Sequence, residues 1–230
     1  MDERFTSLQV LDETTLKLIA LVSMVIDHVA SLFFPEAMWM RVIGRIAMPI
    51  FSFCIAEGYI YTRDTKKYLM RLGLFALISE IPYDLAFFRK LDLIDQNILF
   101  TFFLAVLSLM IFDWLEERYK GTLGMALGTA AVIAVGVASV FLHANYNFTV
   151  VGLVFVFYIL ADKGPFIRYS GGIGFYALMR NMGIYRWGLL GFVPIMLYNR
   201  QRGRGLKLLF YYFYPVHLVI LYLLRLILKV

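Results

Sequence analysis

Apolar stretches of about 17 to 25 residues recur along the whole chain, the length a helix needs to cross a hydrocarbon core of roughly 30 Å at 1.5 Å per residue. Nine candidate spans can be drawn, at residues 16–34, 39–61, 68–88, 97–114, 122–141, 148–161, 167–179, 187–198 and 206–228. The residues AVILMFWYC make up 61% of the 230 positions and charged residues 17%, so a bilayer is the natural solvent. The expected fold is an all-α polytopic membrane protein, a single bundle of about nine transmembrane helices. No fixed-period repeat, low-complexity tract or long linker divides it, and residues 1–230 read as one domain. Spans six to eight are short and interrupted by Gly171, Gly172, Gly174 and Gly183, which leaves tilted, re-entrant or differently paired segments open there.

The formal charge of +6 reports orientation before it reports a nucleic-acid partner. With the N-terminus cytoplasmic, fourteen of the 22 Lys and Arg, Arg4 and Lys17 among them, fall on the inner side. Six fall outside, and Arg41 and Arg45 lie within the second span. The polar, acidic stretch before residue 16 has no small-residue cleavage site, so the first span is expected to be a retained signal-anchor. Gly124 and Gly128 form a G-x-x-x-G step that lets helix backbones approach closely. The single Cys54 excludes an intrachain disulfide, and three histidines in different spans do not make a metal signature. No H-E-x-x-H, P-loop, dinucleotide fingerprint or G-x-S-x-G elbow is present.

Against that apolar background the ionisable residues inside the spans carry the functional information, because each is costly in lipid unless paired or in water. Lys17, Met24 and His28 stand at i, i+7 and i+11, within 20° of one stripe of the first helix. Lys17 and His28 are about 16 Å apart along the axis, a basic foot and a titratable head on one wall. Asp27 lies about 100° round from His28, so it is not expected to orient that ring directly. Arg41 and Arg45 are i,i+4 neighbours, and Pro49 leaves the carbonyl of residue 45 without its helical donor. Glu57 sits on the inner half of the second span; Glu80 and Asp84 bracket Pro82 near the outer end of the third. Asp27, Arg41, Arg45, Glu80 and Asp84 are thus expected to converge on the outer half, as a polar cavity or as salt bridges closing the bundle. Asn97 and the stretch His143–Asn147 extend that polar mouth. His217, two residues after Pro215, is either a second cavity histidine or a core residue bonded to a backbone carbonyl.

The segments Leu16-Lys-Leu-Ile-Ala20, Met24-Val-Ile-Asp-His28, Ile43-Gly-Arg-Ile-Ala-Met-Pro-Ile-Phe51, Glu57-Gly58, Tyr68-x-x-Arg-Leu72, Glu80-Ile-Pro-Tyr83 and Tyr214-Pro-Val-His-Leu218 together resemble the TraX family of conjugation-associated membrane proteins. That resemblance implies a bacterial cytoplasmic-membrane acetyltransferase related to the transmembrane acyltransferases, moving an acetyl group from cytosolic acetyl-CoA to an acceptor on the far side. The acceptor it implies is a pilin or other peptide amine, with a sugar or lipid also open. The related enzymes share a basic residue, ten intervening residues and a histidine, which Lys17 and His28 match. Their basic R-x-x-R element has a partial counterpart in Lys67-Tyr-Leu-Met-Arg71. On this reading Lys17, Lys67 and Arg71 hold the donor. His28 acts as general base or acyl-accepting nucleophile, with Asp27 and Arg45 shaping its surroundings. Arg41, Glu57, Glu80, Tyr83, Asp84, Asn97 and His217 surround the acceptor. An ion- or proton-coupled transporter is the alternative, since such carriers also bury Asp, Glu, Arg and His.

Overall fold

The computed structural model describes residues 9–92, 94–180, 182–205 and 207–229; Arg4 and the rest of the acidic stretch before residue 9 lie outside the described residues. The described residues form helices joined by short turns and contain no β-strand. Their helical segments coincide with the nine expected. Five are long and apolar enough to cross a membrane on those grounds alone: Glu13–Phe33, Met38–Tyr61, Ile98–Tyr119, Gly121–Phe141 and Leu209–Leu228.

Helix α1 (Glu13–Phe33) starts at Asp12, whose carboxylate accepts hydrogen bonds from the Thr15 amide and hydroxyl, each at 2.7 Å. The second span is not continuous: α2 (Met38–Gly44) and α3 (Ala47–Tyr61) meet at Arg45–Ile46. Both residues keep right-handed helical dihedrals, and the Arg45 amide is shared between the carbonyls of Arg41 and Val42, so the axis tightens rather than unwinds. Pro49 supplies the cause expected from the sequence, having no N–H for the Arg45 carbonyl.

Helix α4 (Thr65–Phe88) runs through Pro82 and is capped by Asp64, while α5 (Ile98–Tyr119) is capped by Asn97. Helix α6 (Gly121–Phe141) folds back on α5 through the G-x-x-x-G step. A Cβ on Gly128 would lie 2.6 Å from the Phe112 ring, and one on Gly124 3.0 Å from the Glu116 backbone, so the step serves packing.

Helices α7 (Asn147–Ile159) and α8 (Pro165–Arg180) follow, then a 3-10 helix (Gly183–Gly191) running into α9 (Phe192–Met196). Gly171 and Gly172 do not interrupt a helix, contrary to the expectation. They lie inside α8, where Cβ atoms would come within 2.3 Å of Leu160 and 2.6 Å of Phe157 on the preceding segment. Gly174 also lies inside α8, and of the four glycines expected to interrupt these spans Gly183 marks the break, in the left-handed region at φ +58°. The 3-10 stretch is long for its type. It presses two glycines against the α2–α3 break, where a Cβ on Gly191 would meet the Ile46 carbonyl oxygen at 2.7 Å and one on Gly188 the Arg45 oxygen at 3.1 Å. Helix α10 (Lys207–Leu228) closes the bundle against α4 and α1.

The turn at Thr62–Asp64, the turn at Lys120 and residues Ala161–Gly164 share one end of the bundle with the strap Asn199–Gly205 and the start of α1. This end carries Arg63, Lys66, Lys67, Arg118, Lys120, Lys163, Arg200, Arg202 and Arg204, nine of the fourteen basic residues assigned to the inner side from the sequence.

Candidate functional site

Two cavities penetrate the bundle from opposite ends. The one at the basic end, about 400 Å³, lies among α1, α3, α4, α5 and α10. Its mouth is lined by Lys17, Arg71, Arg200, Arg202 and Arg204 with Glu13 and Thr14. The strap is tied down before it bears these arginines: Leu11 N–H donates to Leu197 O and Asn199 N–H to Leu11 O. The Thr14 hydroxyl then donates to the carbonyls of Arg202 (3.2 Å) and Arg204 (2.6 Å). Lys17 pairs with Glu13 and lies 5.7 Å from the Phe210 ring centroid. Arg71 lines the cavity with a buried Nε that has no hydrogen-bond partner among the described residues. Lys67, expected to act with Arg71, does not reach it. One helical turn away, its side chain is 74% exposed and pairs with Asp64 at 3.2 Å.

The second cavity, about 600 Å³, opens at the other end and is the polar chamber expected around His28. Asp27 faces the second span, and both its oxygens accept from Arg45 Nη2 at 2.5 Å, with Arg41 Nη1 3.4 Å away. Gly44 permits this approach, since a Cβ there would lie 2.2 Å from that of Asp27. The remaining donors of Arg45 are also engaged, Nη1 with the Tyr146 hydroxyl at 2.7 Å and Nε with the Arg41 carbonyl at 3.3 Å. Arg180 joins this wall by donating to the Thr149 hydroxyl at 2.9 Å. Its guanidinium and that of Arg45 both lie within 6.0 Å of the Tyr146 and Tyr185 ring centroids. Tyr83, Asp95 and Asn145 complete the lip, with Asn145 donating to the Tyr83 hydroxyl at 3.3 Å.

His28 does not contact Asp27, as the helical geometry required. Its Nδ1 lies 2.9 Å from Nε2 of His217, whose own Nδ1 is 3.0 Å from the Phe213 carbonyl oxygen. His217 is buried behind the chamber wall, packed against His28 and Tyr214, which line it.

The other expected acceptor residues divide. Glu57 is buried against Arg168 at 2.7 Å and borders the basic cavity rather than the outer chamber. Glu80 and Asp84 do not join the Asp27–Arg45 cluster, because the loop after α4 claims them. Asn97 donates to Glu80 through its backbone (3.3 Å) and its side chain, and the Asp92 amide donates to Asp84 at 2.8 Å. Asn97 is itself fully buried, bonded to the Ala76 carbonyl at 2.8 Å, and so shapes the lip from behind. Tyr146 lies at the mouth, as expected of the stretch His143–Asn147; Arg180 and Tyr185 were not expected there, because only the packing of α8 and the 3-10 helix brings them to α2. Arg200, Arg202 and Arg204 are among the fourteen basic residues the sequence puts on the inner side, a run that the positive-inside rule explains and that could also hold phosphates.

The two cavities share Met24, Phe51, Ile98, Phe102 and Tyr214 in their linings, so the partition between them is one side chain thick. Met24 lies one turn before His28 on the stripe that begins at Lys17. Among the described residues no group of three or more His, Cys, Asp or Glu could hold a metal ion.

Known proteins bear on this arrangement. The chain is 28% identical over 232 residues, covering 90% of it and 92% of the relative, to the probable fimbrial assembly protein FimC, serogroup H1, of Dichelobacter nodosus. It is 36% identical over 90 residues, 39% of its length and 33% of the relative's, to an uncharacterized protein of Rickettsia prowazekii (strain Madrid E). No solved structure matches. The family model described as TraX protein matches residues 12–225, from the cap of α1 to the last turns of α10 and across both cavities. The chain belongs to the TraX protein family.

Proposed function

We propose that this protein is a membrane acetyltransferase of the bacterial cytoplasmic membrane, taking acetyl groups from acetyl-CoA at its basic, cytosolic end and delivering them to an acceptor in the outer chamber. The observation that carries this reading is the pair of cavities set back to back, with a basic mouth on one side, His28 on the other and one layer of side chains between them. A nucleotide thiol with several phosphates suits a mouth of Lys17, Arg71, Arg200, Arg202 and Arg204. Its thin pantetheine arm suits the apolar passage beyond, bringing the thioester to the partition.

On the far side, the acceptor nitrogen or oxygen attacks the thioester carbonyl. The new bond to carbon forms as the carbon–sulfur bond breaks, and His28 takes the proton from the attacking atom and returns it to the departing sulfur. Arg41 is the cation with donors to spare for the developing oxyanion, since Asp27, Tyr146 and the Arg41 carbonyl already occupy Arg45. Arg45 therefore holds the wall. The fimbrial assembly role in the name of the Dichelobacter relative favours a pilin-type peptide amine as acceptor.

A carrier would also use two cavities and a thin partition, so the test must separate chemistry from transport. Purified protein is incubated with labelled acetyl-CoA and a peptide amine. The wild type should bind the donor and acetylate the peptide. Lys17→Ala should weaken donor binding, whereas His28→Ala should keep binding and lose turnover by about 10² to 10⁴, the usual contribution of a positioned base. Movement of a solute without any acetylated product would support the carrier instead.

A further inference from the structure

The polar atoms around His28 form a chain whose direction is determined at one end. A backbone carbonyl can only accept, so the 3.0 Å contact between His217 Nδ1 and the Phe213 oxygen requires the proton of His217 to sit on Nδ1. In the neutral ring Nε2 is then a bare acceptor. The group facing it at 2.9 Å is His28 Nδ1, which must donate. In a neutral His28 that leaves the lone pair on Nε2, and among the described residues no hydrogen bond reaches that nitrogen.

The contact is a true in-plane hydrogen bond. The ring planes are 13° apart, and the 5.1 Å centroid separation exceeds the nitrogen–nitrogen distance by about one ring diameter, which sets the rings side by side rather than face to face. Neighbours hold both rings in that plane. Phe213 stacks on His217 at 14°, Tyr214 meets it edge-on, and Phe87 meets His28 edge-on at 83°. Asp27, the acid adjacent in sequence, is turned away to Arg45.

We propose that His217 is the positioning residue of the site: through the chain Phe213 C=O, His217, His28 it fixes His28 with its proton on Nδ1 and its basic Nε2 turned to the chamber. This deepens the acetyltransferase reading, on which its catalytic consequence rests. When Nε2 of His28 takes up a proton, the His28 Nδ1–H to His217 bond becomes charge-assisted and stabilises the cation without a buried carboxylate. The proton stays on the His28–His217 pair until the departing sulfur takes it from His28 Nε2.

The hydrogen-bond direction and the activity are measured separately. With ¹⁵N-labelled histidine in the full-length protein, held in nanodiscs, long-range proton–nitrogen correlations report which nitrogen of each ring is protonated. The wild type should show both His28 and His217 protonated at Nδ1. His217→Phe should move the His28 proton to Nε2 and lower kcat about a hundred-fold with the donor Kd unchanged. His217→Gln, whose amide oxygen can accept from His28 Nδ1, should restore the Nδ1 tautomer and much of kcat. A wild-type His28 protonated at Nε2 would overturn the chain. Wild-type kcat in His217→Phe would overturn the positioning role. If the tautomers are as stated but the wild type transfers no acetyl group, the acetyltransferase reading fails and the hydrogen-bond chain stands.

Discussion

Met24 connects the two halves of the site. It stands on the Lys17–His28 stripe and lines both cavities, and its unbranched thioether is the most adaptable side chain in a partition otherwise made of Phe51, Ile98, Phe102 and Tyr214. On the proposed transfer reaction, a passage for the acyl group opens there. Met24→Trp should leave the binding of labelled acetyl-CoA within about two-fold of the wild type while lowering transfer to the acceptor by at least about ten-fold, as read by filter binding and product counting on one preparation. At this scale the sequence was informative where a helix alone decides the outcome. The 100° step between Asp27 and His28 separated their partners, and the i, i+7, i+11 spacing put Lys17, Met24 and His28 on one wall. It was silent where two distant segments meet. His217 pairs with His28 across 189 residues of chain, and the sequence left its role open between cavity and core.

The elements that build the basic mouth are short and held by a few polar contacts. Asp12 caps α1 and also buttresses the strap, since a Cβ on Gly203 would lie 2.4 Å from its carboxylate. Bonds from the Thr15 amide and hydroxyl hold the Asp12 carboxyl below the usual carboxylate range. A depressed carboxyl stabilises the fold fully above its unfolded pKa and loses that contribution as pH falls through the folded value. Asp12→Ala should therefore lower stability by about 1 kcal/mol at neutral pH. Its melting curve should converge on that of the wild type upon acidification below the carboxylate range, with thermal unfolding in detergent across pH as the measurement. Span placement was legible because apolar length is a local property, and so was the kink at Arg45, because proline removes a specific donor. The roles of Gly171, Gly172, Gly188 and Gly191 were not, because a glycine in sequence looks the same whether it ends a helix or admits a neighbour.

At the scale of the whole molecule, charge and cavity position run along the same axis. The end bearing Arg200, Arg202 and Arg204 also bears the mouth suited to phosphates, and the opposite end bears the His28 chamber. On the proposed function, the positive-inside asymmetry puts the donor site in the cytosol and the acceptor site outside. The expectation that five outer charges form one cluster failed because Glu80 and Asp84 are taken up by the α4–α5 loop, a competition that periodicity cannot reveal. Sidedness tests the central claim most directly. The protein is reconstituted into sealed vesicles, and the fraction with its basic end outward is determined by impermeant labelling of a cysteine introduced at Lys120 in a Cys54→Ala background. Labelled acetyl-CoA is supplied outside, with a peptide amine trapped within. Acetylated peptide should accumulate in the lumen in proportion to that fraction and be absent with His28→Ala. Product formed only when donor and acceptor share one compartment would contradict transfer through the bundle.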